Sequence, residues 1–357
     1  MSRVTSSSPV TGRSSPPRIA GRTTPRIPSS PPRTGGYFEP SAQPDDGSFD
    51  EVEAFRQFNP AFVSLNGRNA PLTAAEIETF GDFALQILYP PNPIRALDNS
   101  LTADQAAGRY TYFNTLRSIG FVCNDCHRLD ATANAEFGVE SPGLFGSSGK
   151  YVIGEAGQSL KIPHFRNLYQ KVGMFGVVSN PLFNPELDGS FQGDQIRGFG
   201  FLHSGAFDSP SRFLSVGFTE GPFNPGGFPQ TDAGRTERRQ VEAFLYAYDS
   251  NLAPVVGQQI TLTAWNSAVA VPRIALLIAR AEHSECELIA HSGPRSYLYE
   301  DEKFHPDEAG APKLGKAQMW LVAKLPGQEV TFTCVPVGAG RRMGIDRDLD
   351  GVLNRDE

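Results

Sequence analysis

The sequence predicts a mainly α-helical domain with long loops rich in aromatic residues and glycine, followed by a small β-rich domain and a short acidic loop. Three observations support this fold class. Apolar residues recur at helical spacing between residues 72 and 116 and again over 236–250. Short apolar runs typical of strands dominate from residue 253. The stretch 173–228 has neither period, although it holds ten of the 25 phenylalanines and eleven glycines.

These patterns divide the chain into four segments, which are a disordered arm (1–36), the helical domain (37–252), the β-rich domain (253–340) and the acidic loop (341–357). Serine, proline and arginine dominate the arm, so it cannot build a core. Its prolines prevent an amphipathic targeting helix, and it lacks the apolar stretch of a secretory signal. We therefore interpret it as a linker from a longer protein or a misplaced start.

Net charge narrows the class of partner. The chain carries −7, and its first 36 residues contribute six arginines and no acid. Subtracting those six charges leaves −13 on the rest, which argues against a nucleic-acid partner. No run approaches the roughly 18 apolar residues that a membrane span requires. The balance suits a protein that meets other proteins through charge.

Helix boundaries follow from capping signals. Thr73 and Glu76 form a capping box for a predicted helix over 72–88, and Thr102 with Gln105 begins a second over 101–116. Further helices are predicted over 49–58 and 236–250. Strands are predicted over 258–265, 273–281, 286–292, 319–325 and 329–337.

The second capped helix leads into Cys123, Cys126 and His127, in the motif Cys-x-x-Cys-His. A Cys-x-x-Cys pair is commonly a zinc site, a thiol redox pair or a covalent haem attachment. Zinc has little support, because Cys286 and Cys334 are 48 residues apart in another predicted domain. A redox pair is expected in a βαβ setting, whereas the flanks here are helical.

We therefore predict covalent haem. The two thiols of such a motif add to the haem vinyl groups, and the histidine becomes the proximal iron ligand. The amphipathic helix before the motif and the aromatic, glycine-rich stretch after it are what a haem pocket requires. The predicted fold is then a mainly α, cytochrome c-like haem domain.

Two later segments strengthen this interpretation. "LKIPHFRNLYQKVGMFG" and "GDQIRGFGFLHSGAFDS" follow the haem motif. Together the three segments resemble the c-type cytochrome domain of the bacterial dihaem cytochrome c peroxidase and MauG-like superfamily, over roughly residues 50–252. The family's Lys-x-Pro-x-x-Arg-Asn and Phe-x-His-x-Gly segments match Lys161, Pro163, Arg166 and Asn167, and Phe201, His203 and Gly205. The family's peroxidases use two haem motifs, whereas this chain has one, so the two-haem mechanism cannot be complete here.

The sixth iron ligand determines what the haem can do. Met174 is the leading candidate, because it lies in "KVGMFG", where flanking glycines allow the backbone to approach the porphyrin. Methionine opposite a histidine raises the reduction potential. His203 and His164 are rivals, although His203 also suits a hydrogen bond to a propionate and His164 suits backbone support. Packing is the alternative role for Met174.

Haem propionates need cationic partners. Arginine pairs with carboxylates through two parallel hydrogen bonds, and Arg166 and Arg197 are the candidates. The resemblance implies that Arg166 lies near the haem, and Lys161 of the same segment is a further candidate cofactor-binding residue. A solvated surface position is the alternative for both arginines.

The C-terminal acidic loop "DRDLDGVLNRDE" predicts a calcium site. Its oxygen ligands have the spacing of an EF-hand loop, with glycine at position six. The ligands would be Asp346, Asp348, Asp350, the Val352 carbonyl, Asn354 and Glu357. "GAGRRMGI" before the loop does not look helical, so a single calcium loop is expected rather than a paired EF-hand. A solvated acidic tail is the alternative.

Cys286 and Cys334 are predicted to form a disulfide. Both lie in predicted strands, and covalent haem attachment takes place in an oxidising compartment where disulfides persist. Two buried free thiols are the alternative. A periplasmic or extracellular location follows from the haem, although no export signal is visible.

The leading functional hypothesis is a single-haem c-type cytochrome that transfers electrons to redox partner proteins. The alternative is a peroxidase-like enzyme with an open or labile sixth position. A third hypothesis treats haem and calcium as structural parts of a binding module.

Overall fold

Helices predominate in the first part of the chain, and a five-stranded antiparallel sheet with its own helices forms the last part. The computed structural model describes residues 38–40, 55–56, 58–84, 87–127, 150–153, 159–161, 163–173, 197–202, 205, 207–250 and 252–357. We call the part up to residue 250 the helical half and residues 252–357 the sheet domain. The predicted arm, residues 1–36, lies outside the described residues. Among the described helices, none is both long enough and apolar enough to cross a membrane.

Five helices are described in the helical half. They are α1 (Asn59–Ser64), α2 (Ala74–Ala84), α3 (Ala103–Asn114), α4 (Pro210–Gly217) and α5 (Asp232–Tyr246). The helix predicted over 49–58 falls largely outside the described residues, although positions 55 and 56 are helical. The loop predicted over 173–228 is wrong in one part, because α4 forms within it. Pro at the first position of α4 and the Ser209 cap explain that helix.

Both predicted capping boxes are present. The Thr73 N–H donates to Glu76 Oε2 at 2.8 Å, and the Glu76 N–H donates to Thr73 Oγ1 at 3.3 Å. Thr102 and Gln105 exchange equivalent bonds at 3.0 and 3.3 Å. The helix predicted over 236–250 begins earlier, because the Thr231 hydroxyl caps it by accepting from the Gly234 N–H.

Helices α3 and α5 pack against each other at a glycine. A Cβ atom at Gly108 would overlap with the Gln240 carbonyl oxygen, so only glycine permits this approach. The contact allows the aromatic faces of both helices to share one core. Its buried members are Tyr112, Phe113, Leu168, Leu214, Phe228, Val241, Phe244, Leu245 and Tyr248.

The sheet domain contains five antiparallel strands, which are β6 (Gln259–Leu262), β7 (Glu287–Ser292), β8 (Arg295–Glu300), β9 (Lys303–Pro306) and β10 (Val330–Val335). Their order in the sheet is β6–β10–β7–β8–β9. Earlier in the chain, β1 (Phe38–Pro40), β2 (Lys150–Ile153) and β3 (Ser159–Lys161) form one small sheet, and β4 (Val172–Gly173) pairs with β5 (Arg197–Gly198).

Two predicted strands are wrong. Residues 273–281 belong to helix α6 (Ser267–Glu282), and 319–325 overlap helix α7 (Lys316–Val322). Both runs are rich in apolar residues, and periodicity alone cannot separate a buried strand from a buried helix in such a run. In α6 the buried residues recur at helical spacing, as Ala270, Ile274, Leu277 and Ile278.

Helix α6 covers one face of the sheet and the C-terminal segment covers the other. Ile274, Leu277 and Ile278 belong to the same core cluster as Leu288 and Phe332. On the opposite face, a second cluster contains Ile289, Leu298, Val335 and Ile345, with Leu353 packed against it. Cys286 and Cys334 form a disulfide with their Cα atoms 5.5 Å apart, inside the first cluster.

A loop between α2 and α3 joins the helical half to the sheet domain. The Asn92 side-chain amide donates to the carbonyls of Tyr246 and Tyr248 at 2.7 and 2.9 Å. Asn99 donates to Glu285 of the sheet domain at 3.0 Å. The two Asn92 bonds hold the end of α5 and the residues that follow it, including Tyr248. The Asn99 bond connects the same loop to the sheet domain.

Candidate functional site

The Cys-x-x-Cys-His motif forms a tight turn shortly after α3. Cys123–Asp125 is one turn of 3₁₀ helix, and the Val122 N–H donates to Asp125 Oδ2 at 3.0 Å. The His127 N–H donates to the Cys123 carbonyl at 2.9 Å. Cys123 and Cys126 are both half-buried, and neither forms a disulfide. The turn therefore presents two thiols and an imidazole within five residues.

The His127 ring is held through one nitrogen. Its Nδ1 lies 2.7 Å from the Pro163 carbonyl oxygen. A carbonyl only accepts, so Nδ1 carries the proton and the lone pair of the neutral ring lies on Nε2. The Phe165 ring stacks on the imidazole, with centroids 4.0 Å apart and planes 16° apart. A backbone carbonyl on Nδ1 is the usual way in which proteins orient a histidine that binds a metal through Nε2.

Two tyrosines fix the backbone of the same histidine. The Tyr112 hydroxyl donates to the His127 carbonyl, and the Tyr248 hydroxyl lies 3.2 Å from that oxygen. The two hydroxyls are 3.0 Å apart. Because Tyr112 lies on α3 and Tyr248 follows α5, the packed helices determine the position of the motif. No local sequence pattern signals these hydrogen bonds.

Arg166 lies near the same two tyrosines. Its side chain is 6% exposed. Burial raises the pKa of Tyr112 and Tyr248, and the positive charge of Arg166 opposes that rise in both. Asn167, next in the chain, has a left-handed backbone with φ 58° and begins the following 3₁₀ turn. The Arg-Asn segment therefore lies beside the aromatic residues that hold His127.

Burial keeps the motif side chains neutral. It raises the pKa of the Cys123 thiol to about 12 and lowers the pKa of the His127 imidazole to about 4, with the Pro163 bond opposing the second change. Neutral imidazole is the form that binds iron.

The remaining predicted haem contacts are only partly described. Met174 and His203 lie outside the described residues. Lys161 and Arg197 are described as backbone in β3 and β5. His164 is held at both ring nitrogens, since Nε2 lies 2.8 Å from the Tyr89 hydroxyl and Nδ1 accepts from the Arg166 N–H at 3.1 Å. These bonds agree with a supporting role for His164.

The C-terminal loop brings its first three aspartates together. Carboxylate oxygens of Asp346, Asp348 and Asp350 all lie within 4.8 Å of one another. Asp346 is fully buried, and its Oδ2 accepts from Arg341 at 2.8 Å and from the Gly351 N–H at 3.2 Å. Its Oδ1 is buried with no hydrogen-bond partner. A buried carboxylate oxygen of this kind is costly without a cation or donor.

Beyond the three aspartates, hydrogen bonds between side chains and backbone hold the loop. The Asn354 Oδ1 accepts from the Arg347 N–H at 2.8 Å, and Glu357 is exposed. The Val352 N–H donates to Asp350 Oδ1 at 2.8 Å, with Gly351 at φ 95° forming the turn. The segment before the loop, expected to be non-helical, forms the short helix α8 (Gly340–Gly344). Arg341 lies on that helix, and no local pattern signals its bond to Asp346.

Comparisons with protein-family models, curated proteins and solved structures find no match to this chain. The family resemblance therefore depends on the motif residues themselves, and function must be argued from the site.

Proposed function

We propose that this chain is a c-type cytochrome that binds one haem covalently and transfers electrons. The observation that carries the proposal is the orientation of His127 in a Cys-x-x-Cys-His turn. Its Nδ1–H donates a hydrogen bond to the Pro163 carbonyl at 2.7 Å, which leaves the Nε2 lone pair for iron. When bound, haem supplies an iron that alternates between the ferrous and ferric states.

The described residues fit one side of such a group. Cys123 and Cys126, which form no disulfide, would form the two thioether bonds, and both belong to the turn that leads to His127. Arg166 supplies a buried positive charge in the same cluster for a propionate. Lys161 and Arg197 are proposed as further cationic contacts on the basis of the sequence pattern.

Met174 is proposed as the sixth ligand, with His203 as the rival. Two filled axial positions leave no room for a substrate on the iron, so the protein would carry electrons rather than catalyse bond chemistry. An open sixth position would instead indicate the peroxidase-like alternative. Because covalent haem is attached in oxidising compartments, a periplasmic or extracellular location belongs to the same proposal.

Absorption spectroscopy of the exported protein separates the carrier from the enzyme. A low-spin ferric spectrum with the weak far-red band of methionine–iron ligation supports the carrier. Met174→Ala should abolish that band, lower the potential and admit small ligands, whereas His203→Ala should leave it unchanged. A high-spin ferric spectrum that changes on adding peroxide would favour the enzyme. Mass spectrometry that finds no covalent haem would overturn both.

We further propose that the C-terminal loop binds calcium. The supporting observation is the buried Oδ1 of Asp346, which has no protein partner and lies among two other aspartates. Calcium binds six to eight oxygens, so water and backbone carbonyls would complete the set. A chelator should lower the melting temperature of wild-type protein. Asp346→Asn should remove this response, and Asp301→Asn, in an exposed turn of the sheet domain, should keep it.

A further inference from the structure

Four large apolar side chains are exposed beside the haem motif. Leu116, Ile119, Phe121 and Phe223 are 52%, 65%, 46% and 92% exposed. Three of them lie within seven residues before Cys123, and the fourth lies on the loop that follows α4. We call these four residues the docking face. Single exposed apolar residues are common, but a group at a candidate cofactor site points to an interaction surface.

The backbone holds Ile119 in this position at an energetic cost. Ser118 and Phe121 pair as a two-residue hairpin, with the Phe121 N–H donating to the Ser118 carbonyl at 2.8 Å. The central residues, Ile119 and Gly120, have φ of 46° and 85°. Positive φ at both positions is the pattern of a type I′ turn, in which Asn-Gly is preferred. A β-branched residue at positive φ is strained, and such strain concentrates at functional sites.

Hydrogen bonds join the two loops of the docking face into one surface. The Ile119 N–H donates to Asn224 Oδ1 at 3.0 Å, and Asn224 Nδ2 donates to the Arg117 carbonyl at 3.0 Å. The Arg117 guanidinium donates to the carbonyls of Gly226 and Gly227, each at 3.1 Å. The exposed side chains are therefore presented on a fixed frame rather than on independent loops.

The two loops that carry the docking face have almost no net charge. Arg117 is the only charged side chain in residues 114–122, and Glu237 neutralises it in a bidentate pair with contacts of 2.8 Å. Residues 221–228 contain no charged side chain. The protein as a whole is acidic, with a net charge of −7. A partner would thus be attracted by the acidic body and would meet an apolar, uncharged face at contact.

The size of the docking face indicates a short-lived complex. A fully exposed large apolar side chain presents roughly 200 Å², so these four together present roughly 500 Å². A stable interface buries about 800 Å² per partner, whereas electron-transfer encounters bury less. We propose that the docking face receives a basic redox protein in a transient complex for electron transfer at the haem motif. This proposal rests on the proposed function, and it names the partner class and the contact residues.

The exchange involves a single electron. It passes from the ferrous haem of one protein to the ferric haem of the other, so one iron is oxidised and the other reduced. No bond is made or broken and no proton is transferred. The docking face lies close to the candidate haem site, because Phe121 is two residues from Cys123, the thiol that would anchor the porphyrin. A partner bound to the docking face would therefore be close to the haem with which it exchanges an electron.

The test uses the haem-loaded full chain and a basic c-type cytochrome as probe. The double variant Ile119→Asn/Phe223→Ser should weaken binding in calorimetry about tenfold, and the electron-transfer rate should fall with it. Exchange with hexaammineruthenium, a small hydrophilic reagent, should be unchanged. Trp265→Ser is the matched control, because Trp265 is 95% exposed but lies in the sheet domain. It should leave both values unaltered.

A stability measurement separates docking from folding. Ile119→Asn places the preferred residue in the turn, so it should raise the urea midpoint while weakening binding. Equal binding and rates in wild type and the double variant would overturn the proposal. The proposal would also be overturned if wild type sedimented as a stable dimer that the double variant lost, because the docking face would then belong to a second copy of this chain. It would likewise be overturned if the double variant lost binding to anionic lipid vesicles and kept binding to the cytochrome. Failure of the proposed function appears separately, as protein without covalent haem in the mass spectrum.

Discussion

The helical half and the sheet domain differ in what completes their interiors. In the sheet domain, α6 and five strands enclose a continuous apolar cluster that a disulfide crosses. In the helical half, the core between α3 and α5 includes tyrosines whose hydroxyls hold the His127 carbonyl. The sheet domain therefore encloses an apolar core of its own, whereas the core of the helical half also holds the Cys123–His127 turn in position.

The two regions can be followed separately in one molecule. Both tryptophans, Trp265 and Trp320, lie in the sheet domain, and Trp320 packs against Phe332 with ring centroids 5.9 Å apart. Tryptophan fluorescence therefore reports unfolding of the sheet domain. Haem absorption, where haem is bound, would report on the helical half, and helical circular dichroism follows both regions, since α6 lies in the sheet domain.

The largest expected effect is loss of haem from Cys123→Ala/Cys126→Ala. We expect no covalently bound haem, because both thioether positions are removed. The helical half should then unfold at much lower temperature in circular dichroism, while the fluorescence transition stays within a few degrees of wild type. Serine at both positions is the matched control and should behave alike. If both transitions fall together, the two regions are not independent and the comparison is wrong.

Removal of the disulfide should reverse that pattern. Cys286→Ala/Cys334→Ala opens a link between residues 48 apart in sequence. A link of this length stabilises a domain by about 3–4 kcal/mol. The free energy of unfolding measured by fluorescence should fall by about that amount, and haem absorption should not change. A reductant added to wild-type protein should reproduce the result, and an unaltered midpoint in both would show that the bond contributes little.

A third change tests the contact that builds the site. Gly108→Ala places a Cβ against the Gln240 carbonyl and should cost the helical half about 1–3 kcal/mol by separating α3 from α5. Gly217→Ala is the control, since Gly217 lies on α4 with open space around its Cβ position. It should be neutral or slightly stabilising. Equal destabilisation by both variants would contradict the packing argument.

The difference between the regions also explains what could be predicted from sequence. Capping boxes and the haem motif are local, so α2, α3 and the Cys123–His127 turn were predictable. The apolar run in α6 was misread as a strand, because a short apolar run does not distinguish a strand from a helix segment until its packing partners are known. The bond from His127 to Pro163 spans 36 residues, and the contact with Tyr248 spans 121. Such pairs depend on tertiary packing, which local patterns do not encode.

The smallest expected effect concerns a surface network in the sheet domain. Lys316 Nζ and the Tyr299 hydroxyl donate to Glu282 Oε1 at 2.9 and 2.7 Å, and these bonds lower the pKa of Glu282 below its ordinary value of 4.5. A carboxyl whose folded pKa is lowered contributes stability above its unfolded pKa, and this contribution is lost as pH falls through the folded pKa.

Because this pair is solvent-exposed, Glu282→Gln should cost only about 0.2–1 kcal/mol at pH 7. The difference from wild type should vanish as the pH falls below 4.5, since the wild-type carboxyl then loses its charge as well. Fluorescence-detected unfolding at several pH values measures both quantities. Glu300→Gln, at the exposed end of β8, is the matched control for removal of a surface carboxylate. A Glu282→Gln difference that persists at low pH would mean that the side chain acts through packing, so that even the surface of the sheet domain is stabilised mainly by contacts and only weakly by charge.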